Sequence, residues 1–213
     1  MKATLAFVIS FLVLCTAIAH STVISLDGPV VGVTGIDGLA EGWSMGFNDT
    51  VSVAAQLANG GGLSPATGNI AYLTMGTLPS LTNIIASTSF TLPGNYDGTF
   101  SLFPDVPLNA GSYWLIFSSP GPPNSYANWN LTNSANITAL PGVQFLGFTE
   151  SFDGNATFGS PQNDGMGYLF TVSEVPEPSG AGLCFIGVAG VMCFLSWRRR
   201  IAVGPRSNRR SRD

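Results

Sequence analysis

The chain has 213 residues and a formal net charge of −4, but that figure averages two unlike regions. Residues 20–175 contain ten acids and no Lys or Arg; Lys2 and the seven arginines from Arg198 to Arg212 all lie outside them. This excludes phosphate and nucleic-acid binding by that stretch, because affinity there comes mainly from basic side chains.

In chain order, residues 1–19 read as a secretory signal peptide. Lys2 is the positive n-region, Ala3 to Cys15 the apolar h-region, and Ala17-Ile18-Ala19 an A-x-A site. Sec export and cleavage by signal peptidase between Ala19 and His20 are expected. Cys15 suggests a lipoprotein box, but Leu14 is too large for that motif.

Residues 20–173 are long enough for one domain with its own core. Short β-rich runs alternate there with Gly, Pro, Asn, Asp and Ser. The expected strands are Thr22–Leu26, Val30–Thr34, Trp43–Phe47, Val51–Leu57, Asn69–Met75, Ile84–Leu92, Thr99–Phe103, Tyr113–Ser118, Val143–Phe148 and Tyr168–Ser173. Tyr113-Trp114-Leu115-Ile116-Phe117 is apolar on both faces and suits a central, buried strand. Residues 84–103 read as a hairpin about the turn-rich Pro93-Gly94-Asn95-Tyr96-Asp97-Gly98. Residues 118–141 read as a long loop. Many short strands with frequent turns predict an all-β domain, a β-sandwich or jelly roll.

Chemistry is sparse in this stretch. The only histidine is His20, so a nucleophilic serine has no base to activate it. Cys15, Cys184 and Cys193 lie outside, which leaves neither a disulfide framework nor a cysteine nucleophile. No spacing singles out a carboxylate pair for glycoside hydrolysis. Asp97, Asp105, Asp153, Asn155 and Asp164 offer oxygen ligands for calcium, without EF-hand or repeat spacing; the simpler reading is solvated turn residues. Tyr126 and Trp129 could stack on a sugar; the preferred alternative folds them back over the core. Four N-x-S/T sequons occur, at Asn48, Asn130, Asn136 and Asn155.

The last forty residues follow a fixed order. Pro176-Glu177-Pro178 comes first, then residues 180–197 without a charge, then Arg198, Arg199 and Arg200. Eighteen residues at about 1.5 Å each give a helix of roughly 27 Å, near the bilayer's hydrocarbon thickness. A single transmembrane helix is therefore expected, with Trp197 at the interface and the basic tail, residues 201–213, on the cytoplasmic side. A buried helix of a soluble domain is disfavoured by the arginines beside it. A GPI signal is disfavoured by the basic end after the apolar stretch.

Glu174-Val175-Pro176-Glu177-Pro178-Ser179, the apolar stretch and Trp197-Arg198-Arg199-Arg200 together closely resemble the PEP-CTERM sorting signal, over residues 174–200. Cys184 and Cys193 are unusual for its span, and the tail beyond Arg200 is longer than is typical. The resemblance implies a bacterial chain that passes transiently through the inner membrane. An exosortase would recognise Pro176, Glu177 and Pro178 and cleave nearby, releasing the product to the cell surface or the exopolysaccharide matrix. Residues 108–115 are similar to exported β-sandwich domains found upstream of such signals, which carry no known active site. The expected function is thus a non-enzymatic surface or biofilm-matrix protein without cofactor. A glycan- or calcium-binding module is the alternative.

Overall fold

The computed structural model describes residues 21–35, 38–118, 126–151 and 153–176. Every regular element among them is a strand, and all pairings are antiparallel. Residues His20–Val175 form one compact unit. One sheet contains β1 (Thr22–Asp27), β2 (Gly32–Gly35), β4 (Asp49–Asn59), β7 (Asp97–Leu108), β9 (Ala127–Thr132), β10 (Asn136–Ala139), β12 (Gly167–Tyr168) and β13 (Phe170–Glu174). The other contains β3 (Leu39–Met45), β5 (Ala66–Met75), β6 (Ile84–Leu92), β8 (Gly111–Ser118) and β11 (Val143–Glu150), in the order β11-β3-β8-β5-β6.

Period-two burial builds the interior. In β4, Val51, Val53, Ala55 and Leu57 are fully buried and alternate with half-buried Ser52, Ala54 and Gln56. They join Leu39, Trp43 and Met45 of β3 in one core between the sheets. β8 occupies the centre of its sheet, as its doubly apolar sequence predicts. Tyr113, Leu115 and Phe117 enter the main core. Trp114 and Ile116 point the other way, into a small cluster with Ala40 that Tyr72, Leu81, Leu146 and Phe158 cover. Gly42 lies flat against Trp114; a Cβ there would stand 2.6 Å from the indole ring.

Two expectations are corrected. Residues 84–103 are not a hairpin: β6 pairs with β5 in one sheet and β7 with β4 in the other. The Pro93–Gly98 turn, with Asn95 at φ 56°, carries the chain between sheets, and Phe90 and Phe100 meet at 5.3 Å across the gap. Residues 118–141 are not one long loop, because they contain β9 and β10. Asn128 and Asn130 weaken the β signal of β9, yet both are buried, and Asn130 Nδ2 donates to Asp97 Oδ1 at 3.1 Å. β7 also runs on to Leu108 through Pro104 and Pro107, which an edge strand tolerates.

The larger sheet forks along β4. Residues 51–55 pair with β13, while residues 57–59 pair with β9. The strand from Gly167 to Glu174 enters this fork and breaks at Leu169. The Leu169 N–H donates to Asn130 O on β9 at 2.9 Å, and its carbonyl accepts from Gln56 N–H on β4 at 2.9 Å.

Candidate functional site

Glu41, Glu150 and Tyr168 meet beside that break. β11 has a bulge between Phe145 and Gly147, with Gly147 at φ 108°, a backbone angle that suits glycine. The bulge resets the alternation, so that Phe145 opposes Trp43 and Phe148 opposes Glu41. Glu150 therefore shares the inner side with Phe148 at the end of the strand. Glu41 lies on the inner side of β3, in step with Leu39 and Trp43.

Tyr168 bridges to both acids from the opposite sheet. Its backbone N–H donates to Glu41 Oε1, and its hydroxyl donates to Glu150 Oε1 at 2.6 Å. Its ring stacks on Trp129 (5.0 Å, 25°) and meets Phe148 edge-on (5.7 Å, 90°). Glu41 is fully buried, and its Oε2 has no partner among the described residues. Burial holds its pKa well above the ordinary carboxylate value, and the bond from Tyr168 N–H only partly opposes this. Burial also pushes the Tyr168 hydroxyl up, with further contributions from the bond to Glu150 and the charge there. Tyr168 thus stays a neutral donor at physiological pH.

A cleft of about 390 Å³ opens beside this group, lined by Phe148, Thr149, Glu150, Gly159, Ser160, Gln162 and Met166. The loop from β11 to β12 forms its far wall and folds back on β11, with Gln162 N–H donating to Phe148 O at 2.8 Å and Gly159 N–H to Glu150 O at 3.1 Å. Of the two acids, only Glu150 lines the cleft. Glycoside hydrolysis needs two carboxyls facing one substrate at about 5–9.5 Å. Here the acids flank Tyr168 instead. Chemically, the group ties the two sheets together and gives the cleft its one carboxylate, Glu150, beside residues Thr149, Ser160 and Gln162 and the apolar Phe148 and Met166.

No family model, curated protein or solved structure matches this chain.

The four aspartates proposed for calcium lie apart. Asp97 and Asp105 are on β7, and Asp97 already accepts from Asn130. Asp164 accepts from Met166 N–H at 3.2 Å. Asp153 serves its own loop, accepting from the Ser151 hydroxyl (2.7 Å), Thr157 N–H (2.8 Å) and the Thr157 hydroxyl (2.5 Å). No group of three acidic, His or Cys side chains able to hold a metal occurs among the described residues. The bonds from Thr157 and Ser151 hold the Asp153 pKa down at about 2. A lowered value means that the stability it contributes is present above about pH 3.8 and falls away as pH drops towards 2. Replacing Thr157 with valine removes the hydroxyl bond and is expected to move Asp153 up towards 3.8 in an NMR carboxyl titration.

Trp129 corrects the sugar-platform reading. It is fully buried in β9, its Nε1 donates to Leu169 O at 2.8 Å, and Phe117 closes its other side edge-on at 4.3 Å. An enclosed indole has no face for a sugar. Tyr126 is 40% exposed, but its ring packs over Gly60, whose Cβ would stand 2.6 Å from it. Of the sequons, Asn130 and Asn155 are buried, whereas Asn48 and Asn136 are exposed. Ala17, Ala19, Glu177, Pro178, Arg198, Arg199, Arg200 and the span 180–197 lie outside the described residues; Pro176 is half-buried. Glu41 and its link to Tyr168 were not singled out by sequence reading. The available signal was an acid in step with Trp43 in the run Leu39-Ala40-Glu41-Gly42-Trp43.

Proposed function

We propose that this is an exported, non-enzymatic protein of the bacterial cell surface or extracellular matrix, with a jelly-roll-like β-sandwich as its working part. The observation that carries the reading is the tripartite order of residues 174–200: Pro-Glu-Pro, an uncharged apolar span, then three arginines. Residues 1–19 would direct Sec export, and residues 180–197 would hold the chain briefly in the inner membrane. An exosortase would then recognise Pro176, Glu177 and Pro178.

The place of β13, the last strand of the described residues, supports this reading. β13 stops at Glu174, and Val175 N–H makes a last backbone bond to Thr50 O at 2.8 Å. Cleavage near Pro176 would leave every strand of the described residues in the product while removing all seven arginines. The product would be acidic and thiol-free, suited to remaining soluble within a polysaccharide matrix. Mass spectrometry of the surface-located protein tests the proposal. The expected product starts at His20 and ends near Pro176; peptides from Arg206 onward in that form would overturn the processing.

A further inference from the structure

The domain protects its free sheet edges unevenly. A bare edge presents unpaired N–H and C=O groups, and proteins commonly guard it with short strands, prolines, charges, bulges or a covering loop. β2 and β10 are four-residue strands. β7 carries Pro104, Asp105 and Pro107 and two register shifts. β11 is covered by its own loop through the Phe148–Gln162 bridge. β6 has only register shifts against β5, and these lie towards its two ends and leave Ala86–Phe90 in regular pairing. It is nine residues long, Ile84-Ile85-Ala86-Ser87-Thr88-Ser89-Phe90-Thr91-Leu92, with no proline or charge, and it ends its sheet beyond β5.

We propose that β6 is a docking edge for β6 of a second copy of this chain, joining two five-stranded sheets antiparallel about a two-fold axis through Thr88. Charge favours this occupant. No Asp, Glu, Lys or Arg occurs from Thr50 to Tyr96, the stretch that supplies β5, β6 and all of β4 after Asp49. The acids of residues 20–175 are all elsewhere in the sequence, so two acidic copies can meet on an uncharged edge, and a basic partner finds no acid in that stretch. The strand is also compatible with itself. The axis sets Ser87 opposite Ser89 and Ala86 opposite Phe90, all within the regular stretch of β6, with no like charges facing. Exposed apolar residues mark both ends of β6: Leu78, Ile84 and Ile85 at its start (59%, 45% and 40% exposed), and Leu63, 84% exposed, whose backbone lies against Gly94 just beyond its end. Antiparallel pairing brings each start beside the partner's end. Each copy has one such edge, so the two-fold contact closes at a dimer. Pairing through β6 involves the folded unit of residues 20–175 alone and is independent of the proposed sorting.

Sedimentation equilibrium of the full chain in mild detergent, in about 0.05 M and about 0.5 M NaCl, tests it. The protein component is expected to have twice the 22.2 kDa chain mass, with tighter association at high salt as repulsion between the acidic bodies is screened. S87K/S89K places like charges across the axis on exposed positions and is expected to weaken dimerisation by about tenfold or more. Mixing S87K/S89K with S87E/S89E is expected to restore a mixed dimer. A monomer at high salt, a wild-type assembly larger than a dimer, or a dimer unaffected by S87K/S89K would overturn the proposal. The last result would place association elsewhere, for example in residues 180–197.

Discussion

Trp129→Ala is expected to cost the domain about 3–5 kcal/mol of folding stability, the range for emptying a fully buried large aromatic site. Three kinds of contact are lost together. The stacked contact with Tyr168 at 5.0 Å and the edge contact with Phe117 at 4.3 Å both disappear. The Nε1 bond to Leu169 O disappears as well, at the point where the strand entering the fork breaks. Domains of this size have only about 5–15 kcal/mol in total, so this variant should unfold at markedly lower denaturant or be recovered poorly. Trp129→Phe separates the terms. It keeps most of the ring packing and loses the N–H, while Leu169 O retains its bond from Gln56 N–H, so a cost of about 1–2 kcal/mol is expected. Urea unfolding followed by far-ultraviolet circular dichroism measures both. A Trp129→Ala protein as stable as the parent would show that the indole is not a core element, and would reopen a surface role for it.

That site also shows where sequence reading succeeds and where it stops. β8 is legible because five consecutive apolar residues, Tyr113 to Phe117, need cover on both faces, which a central strand provides. β9 is not, because Asn128, Asn130 and the preceding prolines resemble a loop; inside the fold, Asn130 Nδ2 finds a partner in Asp97, which lies far from it in the sequence. The turn at Pro93–Gly98 is legible as a turn, but nothing local says whether its strands pair or separate. That choice belongs to long-range packing, here of Phe90 against Phe100 and Phe117. The carboxyl–tyrosine group is the least legible feature. It joins residues 41, 150 and 168, and its geometry depends on a bulge at Gly147 that shifts the alternation by one.

The same group makes the second large prediction. Glu41→Gln is expected to stabilise the domain at about pH 8 and to flatten its stability between about pH 5 and pH 8. The folded pKa of Glu41 lies well above its unfolded value, because burial disfavours the charged form. A raised folded pKa gives a contribution that is full below the unfolded pKa and is lost as pH rises through the folded one. The parent should therefore be more stable near pH 5 than near pH 8, and at pH 5 the opposite contribution of Asp153, whose pKa is about 2, is still intact. Glutamine keeps an oxygen that can accept from Tyr168 N–H and cannot ionise, so the gain at high pH is on the order of 1–3 kcal/mol, the size of relieving a poorly satisfied buried polar group. Glu150→Gln serves as the control. Glu150 is half-buried at the cleft and its replacement retains an acceptor for the Tyr168 hydroxyl, so the pH slope assigned to Glu41 should remain. Urea unfolding at both pH values, with parent and both variants side by side, reads the result. An unchanged slope in Glu41→Gln would mean that the pH dependence arises from mutual repulsion among the surface acids, which have no Lys or Arg near them in residues 20–175 to offset it.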